Sequence, residues 1–139
     1  MMSSQFSPDL YRVIDANINR LKEGIRVVED IMRYKENNKI IASRLKLLRH
    51  KSQIKETIEL LKYRDSTNDV LRDTIKCELN RTNLNSIIIA NFKRAQESSR
   101  VLQELYKLHS AAYSENFKYI RYELYTLEKD VLIGKQSTT

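Results

Sequence analysis

Chain-bending residues are nearly absent. Gly24 and Gly134 are the only glycines and Pro8 the only proline in 139 residues, where average usage would give roughly seventeen of the two together. A β-sandwich, a doubly wound α/β fold and a glycine-rich phosphate loop are therefore disfavoured, because each needs several positive-φ positions or very close backbone approaches. Cys77 is the sole cysteine, which rules out an intrachain disulfide and a cysteine-built zinc or iron–sulfur centre and fits a reduced, cytoplasmic setting. Residues 1–7 hold no apolar stretch of signal-peptide length and the longest uninterrupted aliphatic run covers only residues 87–90, so neither a signal peptide nor a membrane span is expected. A (β/α)₈ barrel of roughly 250 residues does not fit this length.

What is present is an apolar fraction of 41% in a highly charged chain, 25 Lys and Arg against 18 Asp and Glu, for a formal net charge of +7. That is enough apolar material for one domain with a core, and a surface that favours anionic ligands. Nucleic acid is not the expected anion: Tyr106, Tyr113, Tyr119, Tyr122 and Tyr125 fall at helical spacings and read as core or interface. A slim tyrosine-rich bundle has much surface for its volume, which leaves homo-oligomerisation open.

Periodicity supplies the helices. Ile14, Ile18, Leu21, Ile25, Val28 and Met32 lie four or three residues apart, one stripe of a helix from about Asp9 to Lys35 with Pro8 at its start. After a break at Asn37 and Asn38, the residues Ile41, Leu45, Leu48, Ile54, Ile58 and Leu61 predict a second helix from about Lys39 to Lys62. Residues 64–83 are rich in Asp, Asn, Ser and Thr, which compete with helical hydrogen bonding, and read as a connection. Thr82 or Asn83 would cap a third helix to about Ser110, and Ser114 a fourth to about Ile133. The tail 134–139 is expected to fray.

An internal repeat organises these elements. Residues 14–33 set against 88–107 give seven identities in twenty: Ile14/Ile88, Ala16/Ala90, Asn17/Asn91, Arg20/Arg94, Glu23/Glu97, Arg26/Arg100 and Val27/Val101. Farther on, Lys46/Lys118 and Arg49/Arg121 also match. The expected fold is a single all-α domain, a four-helix bundle of two pseudo-twofold-related hairpins, 9–62 and 84–133.

The repeated polar residues lie mostly away from the apolar stripe. Asn17, Arg20, Glu23, Asn91, Arg94 and Glu97, with Arg49 and Arg121, are thus candidates for a partly buried site near the twofold axis, with Arg20 and Arg94 binding an anion. Ordinary i,i+3 surface pairs, Glu23 with Arg26 and Glu97 with Arg100, account equally well for the spacing. A di-iron carboxylate site is dismissed, since the required Glu-x-x-His reads Glu-x-x-Arg in both copies and guanidinium has no lone pair for a metal. His50 and His109 do not rebuild one by spacing, and no structural metal is expected. With neither glycine-loop phosphate motif in the chain, phosphate would be held by Arg side chains and helix N-termini. Arg64, Asp65 and Asp69 could serve a phosphate or magnesium, or simply a polar loop.

The string Arg12-Val-Ile-Asp-Ala-Asn-Ile-Asn-Arg-Leu-Lys-Glu-Gly-Ile-Arg-Val-Val-Glu-Asp30 resembles the opening motif of the helical domain found N-terminal to some bacterial thiamine-phosphate synthases. Leu47-Leu-Arg-His50, Arg64-Asp-Ser66, Ala90-Asn-Phe-Lys-Arg-Ala-Gln-Glu97, Arg100-Val-Leu-Gln-Glu104 and Ile120-Arg-Tyr-Glu-Leu-Tyr-Thr-Leu-Glu128 extend the similarity over about residues 10–129. The resemblance implies an alternative hydroxymethylpyrimidine-phosphate kinase of thiamine biosynthesis, with ATP and magnesium as cosubstrates. It also implies a phosphorylated pyrimidine as ligand, bound by the Asn, Arg and Glu motifs named above. The rival reading is a non-catalytic partner of a separate thiamine-phosphate synthase. One departure stands out: Ser66-Thr-Asn-Asp-Val-Leu71 lacks the Pro and Gly of the fused relatives.

Overall fold

The computed structural model describes residues 6–74 and 81–134. Among them are five α-helices and no strand: α1 (Pro8–Asp30), α2 (Lys39–Lys51), α3 (Thr57–Tyr63), α4 (Leu84–Tyr106) and α5 (Ala111–Leu132). Ser7 caps α1, its Oγ accepting from the Leu10 amide, with Pro8 in the first turn where its missing N–H costs nothing. A π-helical turn, Ile31–Lys35, prolongs α1. Asn37 then stops it at φ 52°, a left-handed conformation that Asn tolerates better than most residues.

The expected stripe of α1 is the core: Ile14, Ile18, Leu21, Ile25, Val28 and Met32 are all buried. The second helix departs from expectation. Instead of one helix over 39–62, α2 ends at Lys51 and α3 begins at Thr57. Contacts from α5 interrupt it, since Asn116 Nδ2 donates to the Lys51 carbonyl and the Lys55 amide donates to the Tyr113 hydroxyl. Ser52 Oγ also donates back to the Leu48 carbonyl. Because α3 restarts in a new register, Ile54 and Leu60 are buried while Ile58 and Leu61 face solvent.

The second hairpin follows its caps. Asn83 and Ser86 form a reciprocal capping box on α4, which ends at Tyr106 rather than near Ser110. Ser110, not Ser114, caps α5; Ser114 lies inside the helix, where its Oγ donates to the Gln103 carbonyl. Residues 64–74 and 81–83 of the connection are non-helical. Residues 75–80 and the tail 135–139 lie outside the described residues.

The four long helices pack as a ring of neighbours: α2 against α1, α1 against α4, α4 against α5, and α5 against α2. That order is consistent with a four-helix bundle, with α3 laid on α1. At the α1–α4 crossing the backbones come close. A Cβ added at Gly24 would stand 2.9 Å from the Asn91 carbonyl oxygen and 3.4 Å from Ala95 Cβ. Gly24→Ala should therefore destabilise by about 1–2 kcal/mol, because overpacking against backbone outweighs the helix propensity that alanine adds. Urea unfolding checks this; a gain in stability would mean that α4 yields without cost.

One end of the bundle holds a second feature absent from the apolar pattern. The hydroxyls of Tyr11 and Tyr106 and Oε1 of Glu56 are buried without hydrogen-bond partners. Burial pushes both tyrosines above their ordinary range, Tyr106 far above it, and the Glu56 carboxylate adds to the shift. The folded chain then holds these protons where the unfolded chain releases them, so stability should fall as pH rises through about 10. For Tyr106 the slope approaches about 1.4 kcal/mol per pH unit. Tyr106→Phe should flatten that decline in urea titrations run at successive alkaline pH values.

Candidate functional site

The amphipathic pattern of α1 and α4 turns one stripe inward and leaves the repeated polar residues at the edge of their contact. An open cleft of about 530 Å³ lies there, lined by Asn17 and Arg20 of α1 and by Lys93, Arg94, Glu97 and Ser98 of α4. Arg20 and Arg94, equivalent positions of the repeat, thus share one cleft. Among the described residues neither side chain has a hydrogen-bond or ion-pair partner, and neither does that of Glu97. Lys93 is held 3.3 Å from Glu128 of α5.

Asn17 and Asn91 are built alike. Asn17 Nδ2 donates to the Val13 carbonyl at 2.9 Å, and Asn91 Nδ2 to the Ile87 carbonyl at 2.8 Å. Each bond reaches back four residues, occupies one of the two amide N–H donors and leaves Oδ1 free to accept. Only Asn17 faces the cleft, however; Asn91 is not in its lining. Ser98 Oγ donates to the Arg94 carbonyl and so steadies the turn that carries Arg94.

The i,i+3 pairs that the spacing allows do not form. Arg26 bonds Asp30 at 3.2 Å and Arg100 bonds Glu104 at 3.0 Å, each one turn onward. Glu23 is exposed and outside the cleft, though its charge raises the pKa of Arg64 together with the larger effect of Asp15.

The other sequence-derived candidates fall elsewhere. Arg49 of α2 makes a two-pronged bond to Glu29 of α1, Nε to Oε1 at 2.6 Å and Nη2 to Oε2 at 3.0 Å, which raises the guanidinium pKa. Its repeat mate Arg121 donates Nη2 to Gln103 Oε1 at 2.8 Å, in a neighbouring pocket that shares Lys93 and Glu97 with the cleft. Arg64 makes a two-pronged bond to Asp15, both contacts at 2.7 Å, and so ties the connection to α1. The Asp65 carboxylate accepts from the backbone N–H and Nδ2 of Asn68, bonds that hold its pKa below the usual carboxylate range. Asp69 accepts from the Leu71 amide. These three residues shape the connection itself.

Reasoning from identities missed Lys93 and Ser98, which differ between the two copies, and the pairing of Glu29 and Gln103 with the two matched arginines. The signal was there: Glu29 and Gln103 occupy the same place in the repeat, but a non-identical pair draws no notice. Among the described residues no group of three His, Cys, Asp or Glu side chains is placed to hold a metal, and no helix is long and apolar enough to cross a membrane.

Fold and cleft together define a class: an all-helical, internally duplicated domain whose two halves contribute matched arginines to one basic cleft. The family model described as the ThiD2 family matches residues 12–130, and the chain belongs to that family. It is similar to the thiamine-phosphate synthase of Nostoc punctiforme, 38% identical over 128 residues that cover 91% of this chain and 36% of the relative. The Synechocystis thiamine-phosphate synthase is 37% identical over 94% of this chain and 39% of its own length. That of Rhodopirellula baltica is 30% identical, over 94% and 36% respectively. The chain thus spans little more than a third of these curated relatives. No solved structure matches.

Proposed function

We propose that this chain serves thiamine biosynthesis as a small-molecule phosphotransferase, passing the γ-phosphoryl group of ATP to hydroxymethylpyrimidine phosphate. The observation that carries the reading is the convergence of Arg20 and Arg94, both without protein partners, in one cleft with Glu97. The family membership and the relatives' thiamine-phosphate synthase names support the pathway.

Phosphoryl transfer asks little covalent chemistry of a protein; positioning and charge stabilisation dominate. An oxygen of the acceptor phosphate attacks Pγ, the new O–Pγ bond forms, and the bond from Pγ to the bridging β-oxygen breaks to release ADP. Arg20 and Arg94 would neutralise the phosphate oxygens with charge-assisted hydrogen bonds. Asn17 Oδ1 would accept from the pyrimidine amine. Magnesium enters such reactions largely through nucleotide phosphates and water, with one or two carboxylates. Glu97, an unpaired carboxylate in the cleft, fits that modest requirement, whereas Asp65 and Asp69 are engaged in their own turns.

The direct test incubates the purified chain with ATP, magnesium and hydroxymethylpyrimidine phosphate and follows ADP and the pyrimidine pyrophosphate. Turnover is expected. Folded protein that binds the pyrimidine phosphate without forming product would overturn the kinase reading. That result would support a ligand-binding partner of a separate synthase, a role consistent with relatives in which this stretch is part of a longer chain.

A further inference from the structure

The two halves of the repeat treat their matched arginines differently. In the first, Arg49 meets a carboxylate: both oxygens of Glu29 accept from its Nε and Nη2. In the second, the place of Glu29 is taken by Gln103, whose single amide oxygen accepts from Arg121 Nη2. Arg121 is only 9% exposed, yet its Nε–H has no acceptor. The rings of Tyr122 and Tyr125 lie 4.9 and 6.0 Å from its Cζ, close enough for cation–π attraction but offering no acceptor to the N–H. A buried guanidinium with one neutral partner is costly unless something else supplies negative charge.

Arg121 lines an open pocket of about 390 Å³ with Lys93, Gln96, Glu97, Arg100 and Tyr125, within the size range of small-ligand sites. Three cations face one carboxylate there. Lys93 and Arg100 do have acidic partners, Glu128 and Glu104; the Arg100–Glu104 pair is exposed and holds its cation weakly, while the half-buried Glu128 carboxylate is shared between the exposed Lys93 and Gln96.

We propose that this pocket is a second anion site, in which an oxyanion of phosphate size supplies to Arg121 the negative charge that Glu29 supplies to Arg49 in the other half of the repeat. Its anchor is Arg121, with Arg100 and Lys93 at the rim, and its natural ligand is the phosphate group of a small phosphorylated molecule. The site adjoins the Arg20–Arg94 cleft and does not depend on the kinase reading of that cleft.

The experiment titrates inorganic phosphate into the full chain and follows the Arg121 Nε–H resonance by NMR, with calorimetry for affinity. The wild-type resonance should shift and saturate. Gln103→Glu, which recreates the Glu29–Arg49 arrangement, should weaken binding at this resonance at least tenfold while leaving the helical content intact. The exposed Arg100→Ala should weaken it severalfold without touching the core, so the test survives if Gln103→Glu misfolds. Arg20→Ala with Arg94→Ala should leave it unchanged. An Arg121 resonance indifferent to phosphate would overturn the proposal, as would equal affinity in the Gln103→Glu or Arg100→Ala protein. A shift that vanishes with the two cleft arginines would place the anion in the cleft and equally refute a second site.

Discussion

Arg49→Ala is expected to cost about 3–5 kcal/mol of folding stability, the loss typical when one partner of a buried ion pair is removed. Glu29 is only 1% exposed and both of its carboxylate oxygens accept from Arg49. Without the guanidinium the Glu29 carboxylate loses both of its hydrogen-bond donors at the α1–α2 contact. Against a total of about 5–15 kcal/mol for an ordinary domain, that places the variant near unfolding. Arg49→Lys should recover only part of the loss, since an ammonium does not offer the same planar two-pronged donor. The double variant Glu29→Leu with Arg49→Met should recover most of it, because the buried charge disappears along with its partner. Urea unfolding of the four proteins decides the matter; an unperturbed Arg49→Ala protein would show that water reaches Glu29.

Arg20→Ala combined with Arg94→Ala should act on function and leave the fold alone. Neither side chain is bonded to another described residue, so the unfolding midpoint should stay within about 0.5 kcal/mol of wild type, as for other surface changes. Hydrogen bonds to charged groups contribute about 1.5–3 kcal/mol each. Losing both should lower kcat/KM, and the affinity for the phosphorylated pyrimidine, by roughly 10²–10⁴-fold. The opposite pattern, a destabilised protein that binds its ligand normally, would assign the repeated arginines to helix pairing instead. The two predictions thus separate two fates of polar residues kept in both halves of the repeat: Arg49 is expected to act on the fold, and Arg20 and Arg94 on ligand binding.

Much of the scaffold was readable residue by residue. The stripe from Ile14 to Met32 is set by spacing, and spacing is a local property that survives whatever the helix packs against. The cap at Thr82 or Asn83, which falls on Asn83, was readable for the same reason, since it depends on a side chain's reach to its own backbone, and so was the break at Asn37 and Asn38, where Asn37 takes a left-handed conformation and Asn38 caps α2. Ser114 was misjudged as a cap because Ser110, four residues earlier, had an equal local claim. The long-range bond from Ser114 to Gln103 is invisible in the chain order.

The candidate site was readable only in part. The repeat singled out Arg20, Arg94, Asn17 and Glu97, which do converge, and also Glu23, Asn91, Arg49 and Arg121, which do not join them in the cleft. Helical periodicity says which residues share a face, but not which faces meet or which guanidinium finds a carboxylate. The scarcity of glycine and proline, the apolar stripes and the duplicated motif by themselves determined an all-helical chain with two related halves. Tertiary structure alone decided that α5 breaks the helix after Lys51, that Gly24 meets the backbone of α4 at close range, and that Glu29 neutralises one matched arginine while Gln103 leaves its counterpart charged. Helix formation is governed by neighbours a turn apart. Partner choice depends on residues tens of positions away, brought together only when the core closes.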